Sequence, residues 1–451
     1  MRKGIFNKIG LEELLIFAGL IKWIMLAIGV GILVGFSTTI FLKALSWATI
    51  YSHQTHYYFI FVPVWLFFST ILIKYLAPEA EGHGTEKVIQ AIHKEYGKIP
   101  VAVVPVKLVS SVVTIASGGS AGKEGPCAQI SAGLASLLAN VLRFKDEDRK
   151  KLVICGISAG FASVFGTPIA GAIFGVEVLV VGSLMYEVLF PSFISGIISF
   201  QVSKALGITY FYHPLKLSSF IDEIMLIKVI IGGLFFGLVA LMFIEVLNIG
   251  REISERLKFW KPIKGLVGGT VIIILTILTS TDYLGLGIEK IQNALNGTEI
   301  IWYAFIIKMI MTSITLNFGG SGGIITPLFF VGAVSGNLFG RILNVSPATF
   351  SAIGFVSVLA GAANTPIAAS IMAVELFGSK VTPYATIACI ISFMMSGHRS
   401  VYPSQVVALS KSPYMSIDVG EDIEKADIHL RMTKSWLIRV IIWIKHHIQK
   451  R

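Results

Sequence analysis

The stretch SGGSAGKEGPCAQISAGLASLLANVL, Ser117–Leu142, decides how the chain is read. Four of its first nine residues are glycine, a Lys123–Glu124 pair precedes Gly125 and Pro126, and no charge recurs before Arg143. Pro126 suits the first turn of a helix, where its missing N–H would be unpaired anyway. The glycines let the backbone approach a partner closely and leave amides free. A helix start with free amides is a site for an anion, and Glu124 stands at that place. Its carboxylate either occupies the anion site or leaves it when protonated, which is the outline of a gate. Taken alone, the stretch reads equally well as a Gly-rich cap on a soluble helix, with Lys123 and Glu124 solvated.

Composition removes that ambiguity. Of 451 residues, 54% are hydrophobic and 14% charged, with a mean hydropathy of +0.78; a soluble domain carries about 25% charged residues. The apolar runs are long and continuous rather than alternating, which implies an all-α integral membrane protein and not a barrel. The net charge of +11 is spread over loops and tails, as expected of cytoplasmic membrane faces and not of a nucleic-acid partner. Arg2, Lys3 and Lys8 at one end and Lys445, Lys450 and Arg451 at the other predict cytoplasmic termini in a multi-pass plasma-membrane protein. The first apolar run extends far beyond a signal h-region and lacks a clear cleavage site, so no signal peptide is expected. Cys127, Cys155 and Cys389 lie in apolar stretches at no metal spacing and read as buried thiols. No metal and no cofactor are expected.

The chain reads as two halves, about 14–245 and 262–411, divided by the charged stretch Glu245–Lys264. TPIAGAIFGVEVL, Thr167–Leu179, matches TPIAASIMAVELF, Thr365–Phe377, at seven of thirteen positions, and GGSAGKEGP, Gly118–Pro126, pairs with GGSGGIITP, Gly319–Pro327. The offsets are 198 and 201. A doubled membrane chain often inverts one half against the other, with substrate bound where broken helices meet. Met309–Gly340 runs 32 residues without a charge, about 48 Å as one helix against a hydrocarbon core of about 30 Å. The Gly319–Gly323 run and Pro327 predict a break, with a new helix starting near Ile324. Ile342–Val374 predicts another around Gly361–Pro366. Irregular backbone at membrane depth is tolerated only inside protein or along an aqueous cavity, so these breaks mark a pathway. Lys87–Tyr96 is too polar to cross. Lys107 reads as a structural partner, and Glu177 and Glu375, at matching repeat positions, as paired carboxylates at helix ends. Residues 412–451 form a polar tail, amphipathic at Trp436–Ile448, expected on the cytoplasmic membrane surface.

With GKEGP at 122–126, GIITP at 323–327, GHGTE at 82–86 and Tyr402 in order, the chain resembles the CLC family of chloride channels and proton/chloride antiporters, in its prokaryotic form without a C-terminal regulatory domain. The departures are Ile325 in place of phenylalanine, His83 in place of serine and Glu86 in place of proline. The resemblance runs from about Trp23 to Ser410. It implies an inverted repeat of tilted and broken helices in residues 1–411, a homodimer in the lipid bilayer with one pore per subunit, and chloride as the substrate ion. It implies anion binding at His83, Gly125, Ile324, Ile325 and Tyr402, with Glu124 as the external gate. His83 either caps its helix with the ring turned away or offers a ring N–H to the inner anion site. Retention of Pro126 and Tyr402 favours chloride over fluoride. The antiporters of the family carry a second proton glutamate where this chain has Val178, so Glu177 and His83 join Glu124 as candidates for the proton pathway. Two modes remain open, proton-coupled antiport and a passive chloride channel; compactness tilts the reading toward the antiporter. An intramembrane enzyme is disfavoured, because no HExxH pair, Ser–His arrangement or nucleotide motif occurs. A scaffold would need neither Gly-rich breaks nor an apolar-run glutamate.

Overall fold

The computed structural model describes residues 2–55, 57–215 and 223–430. Among the described residues, sixteen α-helices fall in two sets of eight. The first set is α1 (Arg2–His53), α2 (Val62–Leu76), α3 (Thr85–Lys94), α4 (Val103–Ala116), α5 (Glu124–Val141), α6 (Asp146–Phe165), α7 (Pro168–Glu177) and α8 (Tyr186–Ala205). The second is α9 (Glu223–Arg256), α10 (Lys261–Leu278), α11 (Ile288–Leu295), α12 (Ala304–Asn317), α13 (Ile325–Ile342), α14 (Pro347–Ala363), α15 (Pro366–Phe377) and α16 (Thr382–Met395). Packing follows the same order in both sets: α1 lies on α6 and α8 as α9 lies on α14 and α16, and α5 on α6 as α13 on α14. By that correspondence α9 opens the second set. The division between halves therefore falls before Glu223 and not in the charged stretch Glu245–Lys264, which is a helix end and a turn between α9 and α10.

Both predicted breaks are present. α12 stops at Asn317 and α13 starts at Ile325; α14 stops at Ala363 and α15 starts at Pro366. The local causes repeat. α6 ends on Gly166 and α14 on Asn364, both left-handed, and each is followed by Thr-Pro with the proline opening the next helix. A left-handed residue terminates the ladder, and proline at the first helical position loses no bond.

The helices form two shells. In α1, α2, α8, α9 and α10 only 17–39% of the apolar window is covered by protein, whereas in α13 it is 83%. The outer shell thus presents leucine, isoleucine and phenylalanine to lipid, and the inner shell holds the broken helices. Lipid is as apolar as the side chains, so the inner helices gain by close packing. Gly332 and Gly336 of α13 and Gly354 of α14 meet so tightly that a Cβ on any of them would fall on a facing backbone carbonyl or its neighbours. Cys127, Cys155 and Cys389 are buried free thiols.

The chain after α16 folds back on the helices. A two-residue strand, β1 (Val180–Val181), pairs in parallel with β2 (Val406–Val407), and β3 (Met415–Ile417) pairs antiparallel with β4 (Ile428–Leu430). Lys94–Asp422 (2.6 Å) and Arg251–Glu424 (3.1 Å) pin this segment to α3 and α9. The tail at 412–430 is therefore attached structure, and the amphipathic Trp436–Ile448 lies outside the described residues.

Candidate functional site

Three glycine turns converge at the helix breaks. Gly122 and Gly323, one from each half, exchange backbone hydrogen bonds: the Gly122 amide donates to the Gly323 carbonyl (2.7 Å) and the Gly323 amide to the Gly122 carbonyl (2.6 Å). The turn Gly82–Gly84 presses on this pair. Gly84 has φ +53°, and a Cβ there would collide with the Gly125 carbonyl; a Cβ on Gly125 would lie 2.6 Å from the His83 carbonyl. Side chains at these positions would hold the starts of α3, α5 and α13 apart.

Glu124 opens α5 and is buried. Its carboxylate does not turn to its own helix. It accepts a hydrogen bond from the Thr326 amide at 3.1 Å and another from the Thr326 hydroxyl at 2.6 Å. Thr326 is the second residue of α13, so the carboxylate sits on the first turn of the opposite half-helix, where unpaired amides and the helix dipole favour an anion. Ile324 and Ile325, in the same turn, are buried. On the other side stands Tyr402, fully buried, with its ring 5.8 Å from the His83 ring. Among the described residues the Tyr402 hydroxyl, the Thr85 hydroxyl and His83 Nδ1 have no hydrogen-bond partner. Buried polar groups are ordinarily satisfied; three unpartnered ones beside the α13 first turn that Glu124 holds make a polar setting suited to an anion. The Tyr402 segment is held by Gln405, whose amide donates to the Val178 (2.8 Å) and Ala363 (2.9 Å) carbonyls.

Two cavities approach this cluster. One, of about 110 Å³, is lined by Lys123, Glu124, Thr326, Phe329 and residues of α11. The other, about 500 Å³, is lined by His83, Glu86, Lys87, Arg251, Lys264 and Ser404. Both exceed the 10–15 Å³ or so that one water needs. α10 runs from Lys261, at the larger cavity, to the turn that leads into α11, at the smaller one. Its 18 residues rise about 27 Å, which puts the two mouths at opposite ends of the fold.

A family model described as "Voltage gated chloride channel" matches residues 65–397. The chain belongs to the CLC family. This CLC is 36% identical over 407 residues to a protein of Pseudomonas syringae pv. tomato described as "Chloride/fluoride channel protein", covering 89% of this chain and 90% of that one. It superposes on the crystal structure of a CLC-type fluoride/proton antiporter with a TM-score of 0.82 at 28% identity, over 86% of this chain and 98% of the other. A slow cyanobacterial Cl⁻/H⁺ antiporter shares the fold, with TM-score 0.73, 19% identity and coverage of 83% and 94%. This CLC is an integral membrane anion transporter.

Glu124, His83, Gly125, Ile324, Ile325 and Tyr402 lie close together at the helix breaks. Glu177 lies apart from them. Its carboxylate accepts from the Ile367 (3.0 Å) and Ala368 (2.7 Å) amides and so caps α15, while Glu375 accepts from Ile169 (3.1 Å) and Ala170 (2.8 Å) and caps α7. Each half supplies the acceptor for the other's helix start. Lys107 donates to the Ala80 (3.0 Å) and Gly82 (2.6 Å) carbonyls, and Lys308 to those of Tyr283 (3.0 Å) and Gly285 (2.8 Å). Lys308 stands 201 residues after Lys107, the offset of the glycine motifs, and that offset alone could have found it. Thr326 and Thr85 escaped sequence reading. Each is a plain threonine inside a motif read for its other residues; only the fold turns their hydroxyls inward.

Proposed function

We propose that this CLC exchanges a halide, chloride or fluoride, for protons, with Glu124 as the gate. The observation that carries the reading is the Glu124 carboxylate on the first turn of α13, held by Thr326 where an anion would bind. A carboxylate there competes with the transported anion, and protonation weakens its hold and frees the turn. Tyr402, His83, Gly125 and the Ile324 and Ile325 amides are the partners that this reading gives the anion. The chloride/fluoride relative and the fluoride/proton antiporter support both halides as substrates, and fluoride stands beside the chloride that Pro126 and Tyr402 suggest. The passive channel remains the second reading, favoured by one observation: Val178 offers no titratable group, and its carbonyl is taken up by Gln405.

The positive-inside rule supports a cytoplasmic face for the larger cavity. Lys94, Lys98, Arg251 and Lys261 lie on that face, tied to one another's surroundings by ion pairs with Asp422, Asp146, Glu424 and Glu81. The same rule supports cytoplasmic termini, and the family resemblance supports the plasma-membrane location and the homodimer; crosslinking in membranes tests the dimer. Liposomes loaded with chloride or fluoride test the function. Uphill proton movement driven by the halide gradient is the expected result. A reversal potential at the halide Nernst value, with no proton movement, would make the protein a channel.

A further inference from the structure

In an exchanger, protons must reach Glu124 from the vestibule side. Val178 cannot serve, and both oxygens of Glu177 accept amide hydrogens of α15. Of the carboxylates that line the larger cavity, Glu86 is the one beside Thr85. Glu86 is the second residue of α3, next to Thr85, and lines the larger cavity together with His83. Its Oε1 accepts from the Ser404 amide at 3.0 Å, two residues beyond Tyr402. Its Oε2 is shielded from solvent and has no hydrogen-bond partner among the described residues.

We propose that Glu86 is the vestibule-side proton-binding residue of this CLC, passing its proton toward Glu124 past the Thr85 and Tyr402 hydroxyls. The proposal rests on the coupled exchange argued above and places its missing carboxylate three residues after His83 instead of after Glu177. The chemistry balances without a co-reactant. A proton from water in the cavity that Glu86 lines neutralises its carboxylate; it leaves past the Thr85 and Tyr402 hydroxyls and neutralises Glu124, which then releases Thr326. The charged and titratable groups that share the cavity with Glu86 are Glu81, His83, Lys87 and Lys94 on its own segment, Arg251 and Glu255 on α9, Lys261 and Lys264 on α10 and Glu424 on the C-terminal segment. α3 is an amphipathic helix and not a membrane span. Burial lifts the Glu86 carboxyl to about 7, against the opposing pull of the Ser404 hydrogen bonds and Lys87. Such a group gains and loses its proton near neutral pH.

The test is Glu86→Gln in the full chain, purified and reconstituted beside the wild type, with halide efflux and proton uptake recorded together. Glutamine still accepts the Ser404 amide but carries no proton. Proton flux is expected to fall about 100-fold while halide efflux persists, and the wild-type proton flux should decline as vestibule-side pH rises through about 7. A halide-to-proton ratio in Glu86→Gln equal to wild type would overturn the proposal. Loss of both fluxes together would also overturn it, assigning Glu86 to the fold. If the wild type itself moves no protons, it is the exchange reading that fails.

Discussion

Replacing Glu124 by glutamine should tighten anion binding, and the structure fixes by how much. The wild-type carboxylate holds the first turn of α13 through two hydrogen bonds, from the Thr326 amide and hydroxyl. A hydrogen bond to a charged group is worth about 1.5–3 kcal/mol and a neutral one about 0.5–1.5, so removing the charge weakens each by about 1 kcal/mol. The docked side chain then loses about 2 kcal/mol, which shifts its equilibrium with the undocked state about 30-fold, at 1.4 kcal/mol or so per tenfold. Because side chain and anion compete for one place, the apparent dissociation constant falls by up to that factor. Glutamine keeps the size and one acceptor, and it leaves Thr326 intact, so packing is not the variable. Titration calorimetry of the purified protein with chloride and with fluoride measures the shift. The wild type should also gain affinity as pH is lowered, and Glu124→Gln should not. Equal affinities in the two proteins, at a pH where the wild type still responds to acid, would refute competition between Glu124 and the anion.

Tyr402→Phe removes a hydroxyl that has no protein partner; it should leave the melting temperature unchanged and weaken halide affinity by up to about tenfold, the worth of one hydrogen bond. Glu177→Ala strips two helix-start amides of their acceptor at a buried position, and at about 1–3 kcal/mol per orphaned group it should lower stability in detergent by about 2–6 kcal/mol. Glu375→Ala should lower it less, because that carboxylate is partly exposed. Gly84→Ala places a methyl against the Gly125 carbonyl in a left-handed backbone and should abolish both halide binding and transport, whereas Gly82→Ala, where a Cβ meets nothing within 4 Å, should retain them at some loss of stability.

Sequence carried the breaks well, since the residues that end a helix act locally. Gly319–Gly323 with Pro327, and Asn364-Thr365-Pro366, each interrupt an apolar run too long for one crossing, and helices stop and restart there. The convergence of GHG, GKEG and GG followed from the family resemblance rather than from any local rule. What was hidden depends on neighbours remote in the chain. Nothing near Thr326 announces that its hydroxyl would hold a carboxylate 202 positions earlier, and Glu177 looks the same in sequence whether it carries protons or caps α15. The charged residues at 245–264 mark a membrane face, and a face recurs at every turn of the chain, so they could not locate the boundary between repeats. That boundary required seeing α9 pack as α1 does.

The reciprocal caps bear on how fast such a molecule can work. Four amide–carboxylate bonds, from Ile367 and Ala368 to Glu177 and from Ile169 and Ala170 to Glu375, together with the Gly122–Gly323 exchange, stitch the two halves across their shared axis. Tilting one half against the other would rupture them all, at about 6–12 kcal/mol for the four charged bonds alone. That cost argues against a rocking bundle as the moving part and for a motion confined to side-chain rotation at the site. Turnover then answers to ion and proton arrival instead of to domain inertia. A bilayer made thicker or stiffer, which loads a rocking transporter through hydrophobic mismatch, should leave the rate of this one nearly unchanged.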